Sequence, residues 1–177
     1  MELYLYEDYK NMFEGAHGRA LTDILIKESL RASGIEAGNI LRTDKGKPYI
    51  AGGKDAAGER DVFFSVSHSG DFFACLIADV PVGIDVQQHR NVAAERISRR
   101  YFTDEECRYI EENGDDGFFF IWARKEAYSK YTGLGLEEIL HGTPVLDRID
   151  VEFIDFKLEK GMYCSCCRKI VKEKKDI

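Results

Sequence analysis

An α+β fold is predicted by three features of this 177-residue chain: one amphipathic helical stretch near the N-terminus, a group of short apolar runs in the middle, and two helical stretches followed by further short runs. That order lacks the regular βαβ alternation of a doubly wound sheet, so helices and strands are expected to segregate. Apolar residues make up 44% of the chain and aromatic residues 12%, enough for a hydrophobic core within a single compact unit, with room for two lobes.

Ala16, Ala20, Leu21, Ile24 and Leu25 recur at helical spacing between Glu14 and Leu30, and Gly34 follows as a stop. Residues 44–60 read as a loop, because Asp44, Gly46, Pro48, Gly52, Gly53 and Gly58 break any period; Lys45, Lys47 and Lys54 are interspersed. The runs Val62 to Val66, Phe72 to Ala78 and Val82 to Val86 are separated by turn residues and are expected to form an antiparallel meander. A helical pattern returns after Asn91, and Thr103 with Glu106 forms a capping box that starts a second helix near Asp104, ended by Gly114. A third helix is expected from Asp115 or Asp116 to about Tyr131, with Gly133 and Gly135 terminating it. Val151, Phe153, Ile154 and Phe156, a turn at Gly161, and Met162 to Cys167 then suggest strands of a second sheet, followed by a basic, frayed tail.

Composition narrows the function classes. No apolar run reaches eighteen residues, and the opening Met1 to Asp8 lacks the basic start and apolar stretch of a signal peptide, so a soluble cytoplasmic protein without membrane contact is expected. The five cysteines, Cys75, Cys107, Cys164, Cys166 and Cys167, lack the paired spacing of a zinc site and read as reduced thiols. A net charge of -7 gives no electrostatic reason to expect nucleic acid.

Three constellations carry chemistry. In Gly83-Ile84-Asp85-Val86-Gln87 the side chains of Asp85 and Gln87 share one strand face, where two oxygen-bearing groups suit a hard cation such as Mg2+. An aspartate alone after an apolar run is more often a turn cap. In the stretch from Trp122 to Lys130, Trp122, Glu126 and Lys130 lie four apart on one helical stripe. Glu126 and Lys130 could form a simple surface ion pair, but a stripe that also carries an indole belongs at a core edge, which points to a site. Ser65-Val66-Ser67-His68-Ser69-Gly70 offers hydroxyls and an imidazole to a phosphate, or ordinary turn residues. It lacks the G-x-S-x-G elbow of a serine hydrolase.

Taken in chain order, Gly46-Lys47-Pro48, Ser67-His68-Ser69-Gly70, Gly83-Ile84-Asp85 and Trp122 through Lys130 resemble the motifs of the surfactin-type 4'-phosphopantetheinyl transferase family. The resemblance implies two similar subdomains related by a pseudo-twofold, here 1–81 and 82–177, each a small antiparallel sheet packed on a long helix. It also implies coenzyme A and Mg2+ in the cleft between them, and an apo acyl or peptidyl carrier protein as acceptor. By position, Lys47, Ser67 and His68 are expected to hold the adenosine and 3'-phosphate end of coenzyme A, with Gly46 and Pro48 shaping the adenine contact and Lys125 reaching the phosphates. Asp85 and Glu126 are the implied Mg2+ ligands, joined by Gln87 where the family often has glutamate; Glu126 and Lys130 are implied to handle the serine proton and the leaving phosphate. Gly18 stands where a phosphate-binding arginine is found, with Arg19 beside it as a replacement. Arg96, Arg99 and Arg100 share one predicted helical face that would steer an acidic carrier to a monomeric enzyme. Gln87 and Gly18 also leave open an inactive coenzyme A-binding module, and a plain interaction protein is the remaining alternative.

Overall fold

The computed structural model describes residues 1–51, 58 and 61–170. The expectations for Gly52, Gly53, Lys54 and the basic tail from residue 171 onward fall outside them.

Strands β1 (Glu2–Glu7), β4 (Phe63–Ser69) and β5 (Phe72–Ala78) form an antiparallel sheet in the order β1-β5-β4. Helix α1 (Gly18–Ala32) covers one face of it, with Gly34 at φ 73° beyond its end. A second antiparallel sheet is made by β6 (Val82–Gln88), β7 (Val151–Leu158) and β8 (Met162–Lys169), in the order β6-β8-β7. Helices α2 (Ala94–Tyr101), α3 (Asp104–Thr132) and α4 (Leu136–Leu140) lie between β6 and β7 in the chain. The α+β class therefore stands.

The alternation of side chains builds the layers. On β5, Phe73, Cys75 and Ile77 pack with Leu21, Leu25, Ile26 and Leu30 of α1, while Phe72, Ala74, Leu76 and Ala78 pack with Val82, Ile84 and Val86 of β6 and with Cys164 and Cys166 of β8. Tyr163 and Cys167, on the other face of β8, pack with Phe118, Phe119, Ile121, Ala127 and Tyr128 of α3. Two sheets thus lie back to back between α1 and α3, and every residue of β5 is buried.

Two expectations change. The meander is only a hairpin: β5 pairs with β4 and β1, whereas β6 leaves to pair with β8. An apolar run shows which faces a strand buries but not which strand lies beside it. Within the expected loop 44–60, Pro48–Ile50 forms β3 and pairs with β2 (Ile40–Arg42), turning at Gly46 with φ 82°. The two helices expected on either side of Gly114 are both present within α3, separated at Gly114, whose φ of 61° and ψ of -145° are not helical. The Thr103 capping box forms as expected, with the Glu106 amide 3.3 Å from the Thr103 hydroxyl and the Thr103 amide 2.9 Å from the Glu106 carboxylate. Gly133, at φ 74°, caps the other end of α3.

Gly83 explains how α3 reaches the second sheet. A Cβ there would collide with the carbonyl oxygen of Ala127 and the amide of Tyr131, so only glycine lets the helix backbone lie this close to β6. That approach brings Glu126 and Lys130 over Asp85, two residues along the strand.

Candidate active site

A cleft of about 630 Å3 opens between the two halves. Its walls come from α1 (Arg19 and Thr22), the β2-β3 hairpin (Arg42 and Lys45 to Pro48), the end of β4 (Ser67 to Ser69), β6 and its exit (Asp85, Gln87 and Arg90), and α3 (Glu126, Ser129 and Lys130). Of the residues expected from the sequence, Arg19, Gly46, Lys47, Pro48, Ser67, His68, Asp85, Gln87, Glu126 and Lys130 all line it.

Asp85 is 1% exposed and its carboxylate is surrounded by donors. Lys130 Nζ and Ser67 Oγ both donate to Oδ1 at 2.7 Å, and Gln87 Nε2 donates to Oδ2 at 2.7 Å. The helical spacing offered Lys130 an ion pair with Glu126, but the ammonium reaches across to the strand carboxylate instead. Glu126 accepts a 2.8 Å hydrogen bond from the Trp122 indole, whose ring packs with Phe102 and Phe118. The stripe therefore has one function per turn: an aromatic anchor that orients, a carboxylate, and a cation.

Burial pushes the Glu126 carboxyl up to about 7, and the neighbouring Asp85 carboxylate pushes in the same direction, while Lys130 and the indole partly oppose them. Glu126 is thus a carboxyl group whose protonation is poised near neutral pH beside a second, buried carboxylate. Desolvation and the Lys130 and Lys10 cations lower the His68 pKa, favouring the neutral imidazole. Its ring lies 6.0 Å from that of Tyr9.

The hairpin lysines close one end of the cleft. Lys47 donates to the carbonyl of Lys130, and Lys45 donates to the carbonyl of Leu134 and lies 3.1 Å from Glu138. Two cations thus meet the carbonyl-rich end of α3, where the helix dipole is negative. Burial lowers the Lys47 pKa.

Lys125 is corrected. Its side chain is 0% exposed and its ammonium lies 2.8 Å from Glu106, 2.7 Å from the Thr143 carbonyl and 5.0 Å from the Phe102 ring centroid. One residue along a helix is a turn of about 100 degrees, which carries position 125 away from the cleft that position 126 faces. Lys125 serves the interior of the second half.

Arg42 and Arg90 were missed from the sequence. Arg42 is held by Asp23 of α1 at 2.5 Å, and its position five residues before Lys47, on the paired strand, was the available signal. Arg90 lies just beyond the end of β6, after His89, and carries no pattern of its own. Among the described residues, no group of three or more His, Cys, Asp or Glu side chains forms a metal cluster, and no helix is long and apolar enough to cross a membrane.

A family profile described as the 4'-phosphopantetheinyl transferase superfamily matches residues 81–168, the stretch that holds Asp85, Glu126 and Lys130. The chain is also similar to the 4'-phosphopantetheinyl transferase gsp of Aneurinibacillus migulanus, at 26% identity over 86% of this chain and 68% of that protein. It is 29% identical to the 4'-phosphopantetheinyl transferase Sfp of Bacillus subtilis strain 168, over 70% of this chain and 55% of that one. The human L-aminoadipate-semialdehyde dehydrogenase-phosphopantetheinyl transferase is 35% identical over 67% of this chain and 42% of its own. The chain thus spans between 42% and 68% of the length of these relatives.

Proposed function

The chain belongs to the 4'-phosphopantetheinyl transferase superfamily, and we propose that it moves the 4'-phosphopantetheine arm of coenzyme A onto a serine of an apo acyl or peptidyl carrier protein, releasing adenosine 3',5'-bisphosphate. One observation carries this reading. The Asp85 and Glu126 carboxyl groups and Lys130 meet in a cleft that also gathers Arg19, Arg42, Lys45, Lys47 and Arg90, on a protein whose net charge is -7. Such a concentration of cations on an acidic chain suits a polyanion, and coenzyme A carries a pyrophosphate and a 3'-phosphate.

The donor set fits Mg2+. Burial first and the Asp85 carboxylate second raise Glu126 to about 7, and a divalent cation between the two carboxyl groups would relieve both. Mg2+ is commonly held by one or two carboxylates plus waters and phosphate oxygens, so Asp85 and Glu126 are the proposed ligands. The Gln87 amide turns its nitrogen to Asp85 and would join them only through its oxygen. When bound, Mg2+ supplies neutralisation of charge on the pyrophosphate oxygens.

The remaining chemistry belongs to the chain. Glu126 in its carboxylate form takes the proton of the carrier serine hydroxyl as the serine oxygen bonds to the β-phosphorus, and the bond to the departing phosphate oxygen breaks. Lys130, anchored on Asp85, neutralises the leaving bisphosphate. The basic rim orients coenzyme A so that little of the barrier is spent on alignment.

Residues 1–81 and 82–177 are read as two halves related by a pseudo-twofold, acting together as a monomer in the cytoplasm. Arg96, Arg99 and Arg100 are exposed on α2 and suit an acidic carrier, with Arg99 also 2.7 Å from Glu95. The test is intact-mass spectrometry of several apo carrier proteins incubated with this protein, coenzyme A and Mg2+. A phosphopantetheine mass gain that EDTA abolishes is expected. Coenzyme A binding with no gain on any carrier would identify an inactive binding module instead.

A further inference from the structure

Helix α3 is tied to the second sheet on both of its flanks, and only one of the ties faces the cleft. Asp85 of β6, Ser165 of β8 and Asp155 of β7 stand opposite one another in the strand register, so they form a polar row across the sheet on the face that α3 covers. Lys130 bonds to Asp85 at one end of the row. At the other end Arg124 donates to Asp155 Oδ2 through Nε at 2.8 Å and Nη2 at 2.5 Å, and its Nη1 donates to the Val145 carbonyl at 3.1 Å. The Arg124 guanidinium also lies 5.2 Å from the Phe153 ring centroid. In the middle, Ser165 Oγ and Asp155 Oδ1 are buried and make no hydrogen bond among the described residues, so the bonds that hold the Asp155 carboxylate come from Arg124.

Helical geometry makes the two ties a pair. Ala127 is buried and its carbonyl lies directly over Gly83, so it marks the line along which α3 meets the sheet. At about 100° per residue, Arg124 and Lys130 lie about 60° to either side of Ala127, and Glu126 lies about 100° from it on the Lys130 side. Arg124 therefore restrains the roll of the helix from the flank opposite Glu126. We propose that Arg124 and Asp155 are positioning residues: their ion pair sets the roll of α3, and the roll sets Glu126 against Asp85. This rests on the proposal that Asp85 and Glu126 hold the metal ion. A roll of about 10° carries a side-chain end about 6 Å from the helix axis through about 1 Å. A misplacement of about 1 Å can lower turnover about 100-fold.

Mn2+ alone is the first probe, titrated into the purified full chain and read from the free-ion signal by electron paramagnetic resonance. Melting temperature and transfer to an apo carrier protein are then measured on the same variants. Arg124→Leu is expected to weaken Mn2+ binding by about tenfold and to lower kcat about 100-fold, with KM for coenzyme A unchanged because the cations of the cleft stay in place. It also strands the Asp155 carboxylate and should melt lower. Arg124→Leu combined with Asp155→Leu removes that carboxylate and is expected to recover the melting temperature while Mn2+ binding and kcat stay low. Ser165→Ala deletes a hydroxyl that bonds to nothing in the row and should leave Mn2+ binding unchanged.

Recovery of Mn2+ binding together with the melting temperature in the double variant would overturn the proposal, since the pair would then only support the fold. Equal Mn2+ loss in Ser165→Ala and Arg124→Leu would overturn it in favour of a hydrogen-bonded path along the row. A wild-type chain that binds no Mn2+ would remove the metal reading itself and this inference with it, an outcome distinguishable from the others by the first titration.

Discussion

Replacing Lys125 by methionine separates the role that its motif implies from the role that its surroundings impose. Both partners of the Lys125–Glu106 ion pair are 0% exposed, and Glu106 also receives the Thr103 and Val145 amides at 2.9 Å. Removing the ammonium leaves a carboxylate with its capping bonds and no countercharge, a loss that typically costs about 3–5 kcal/mol. For a chain of this size each kcal/mol moves the melting temperature by about 2–4 °C, so a fall of about 6–20 °C is expected. Coenzyme A affinity, measured by calorimetry well below the transition, should stay within about twofold, since the Lys125 ammonium does not reach the cleft. Lys125→Met combined with Glu106→Gln should recover part of the stability, because the buried charge then disappears as well. A single variant that melts like the wild type and binds coenzyme A tenfold more weakly would refute the reasoning and return Lys125 to the phosphates.

The other predictions concern the cleft and its supports. Glu126→Gln should abolish transfer, and the wild-type rate at limiting substrate should fall as pH drops through the range in which Glu126 takes up a proton, because the base must be ionised. The linkage sign is opposite for stability: a carboxyl raised to about 7 when folded, from an ordinary 4.5, favours the folded state as pH falls from about 7 to 4.5 and opposes it above. Without metal, Glu126→Gln should therefore melt higher than the wild type at pH 8, with the gap closing by pH 5; no gap at pH 8 would show that the carboxyl pair carries no strain. Gln87→Glu removes the amide donor from Asp85 and adds a third carboxyl group, so Mn2+ titration should give tighter binding, on the order of tenfold, while the metal-free protein melts lower. Gly83→Ala drives a methyl group into the Ala127 carbonyl and should lower stability by about 1–3 kcal/mol in urea titrations, with turnover falling further as α3 moves off β6.

How much could be read from the chain depended on whether the information was local. The Thr103 cap, the stop at Gly133 and the shared stripe of Trp122, Glu126 and Lys130 follow from helical geometry alone, and all three are present. Strand partners were less legible: Val82 to Val86 looks equally apolar whether it pairs with β5 or, as it does, with the distant β8. Lys125 was misread because a lysine beside a glutamate that faces the cleft has no marking to distinguish an interior ion pair from a cleft cation, and only the distant Glu106 decides. The Asp85 and Glu126 pair was legible as chemistry, but the elevation of Glu126 required knowing that burial and a like charge coincide there.

The position of the cleft also explains why lysines come from the hairpin. Helix α3 ends against the space where phosphates are proposed to lie, and the carbonyl end of a helix carries about half a negative charge, which repels a polyanion. The second half alone would therefore present the stripe of Trp122, Glu126 and Lys130 beside an unfavourable field. Lys45 and Lys47, supplied by the first half, bond to the carbonyls of Leu134 and Lys130 and cancel that end. Their turn is set by Gly46 and by the Thr43 hydroxyl, which accepts the Lys47 amide at 3.1 Å. The hydroxyls of Ser65, Ser67 and Ser69 on β4 meanwhile accept the amides of Ile84, Val86 and Gln88 and fix β6 from the other side. Each half thus completes what the other leaves exposed, one a helix end and the other a strand edge, and the carboxyl pair sits where both repairs meet.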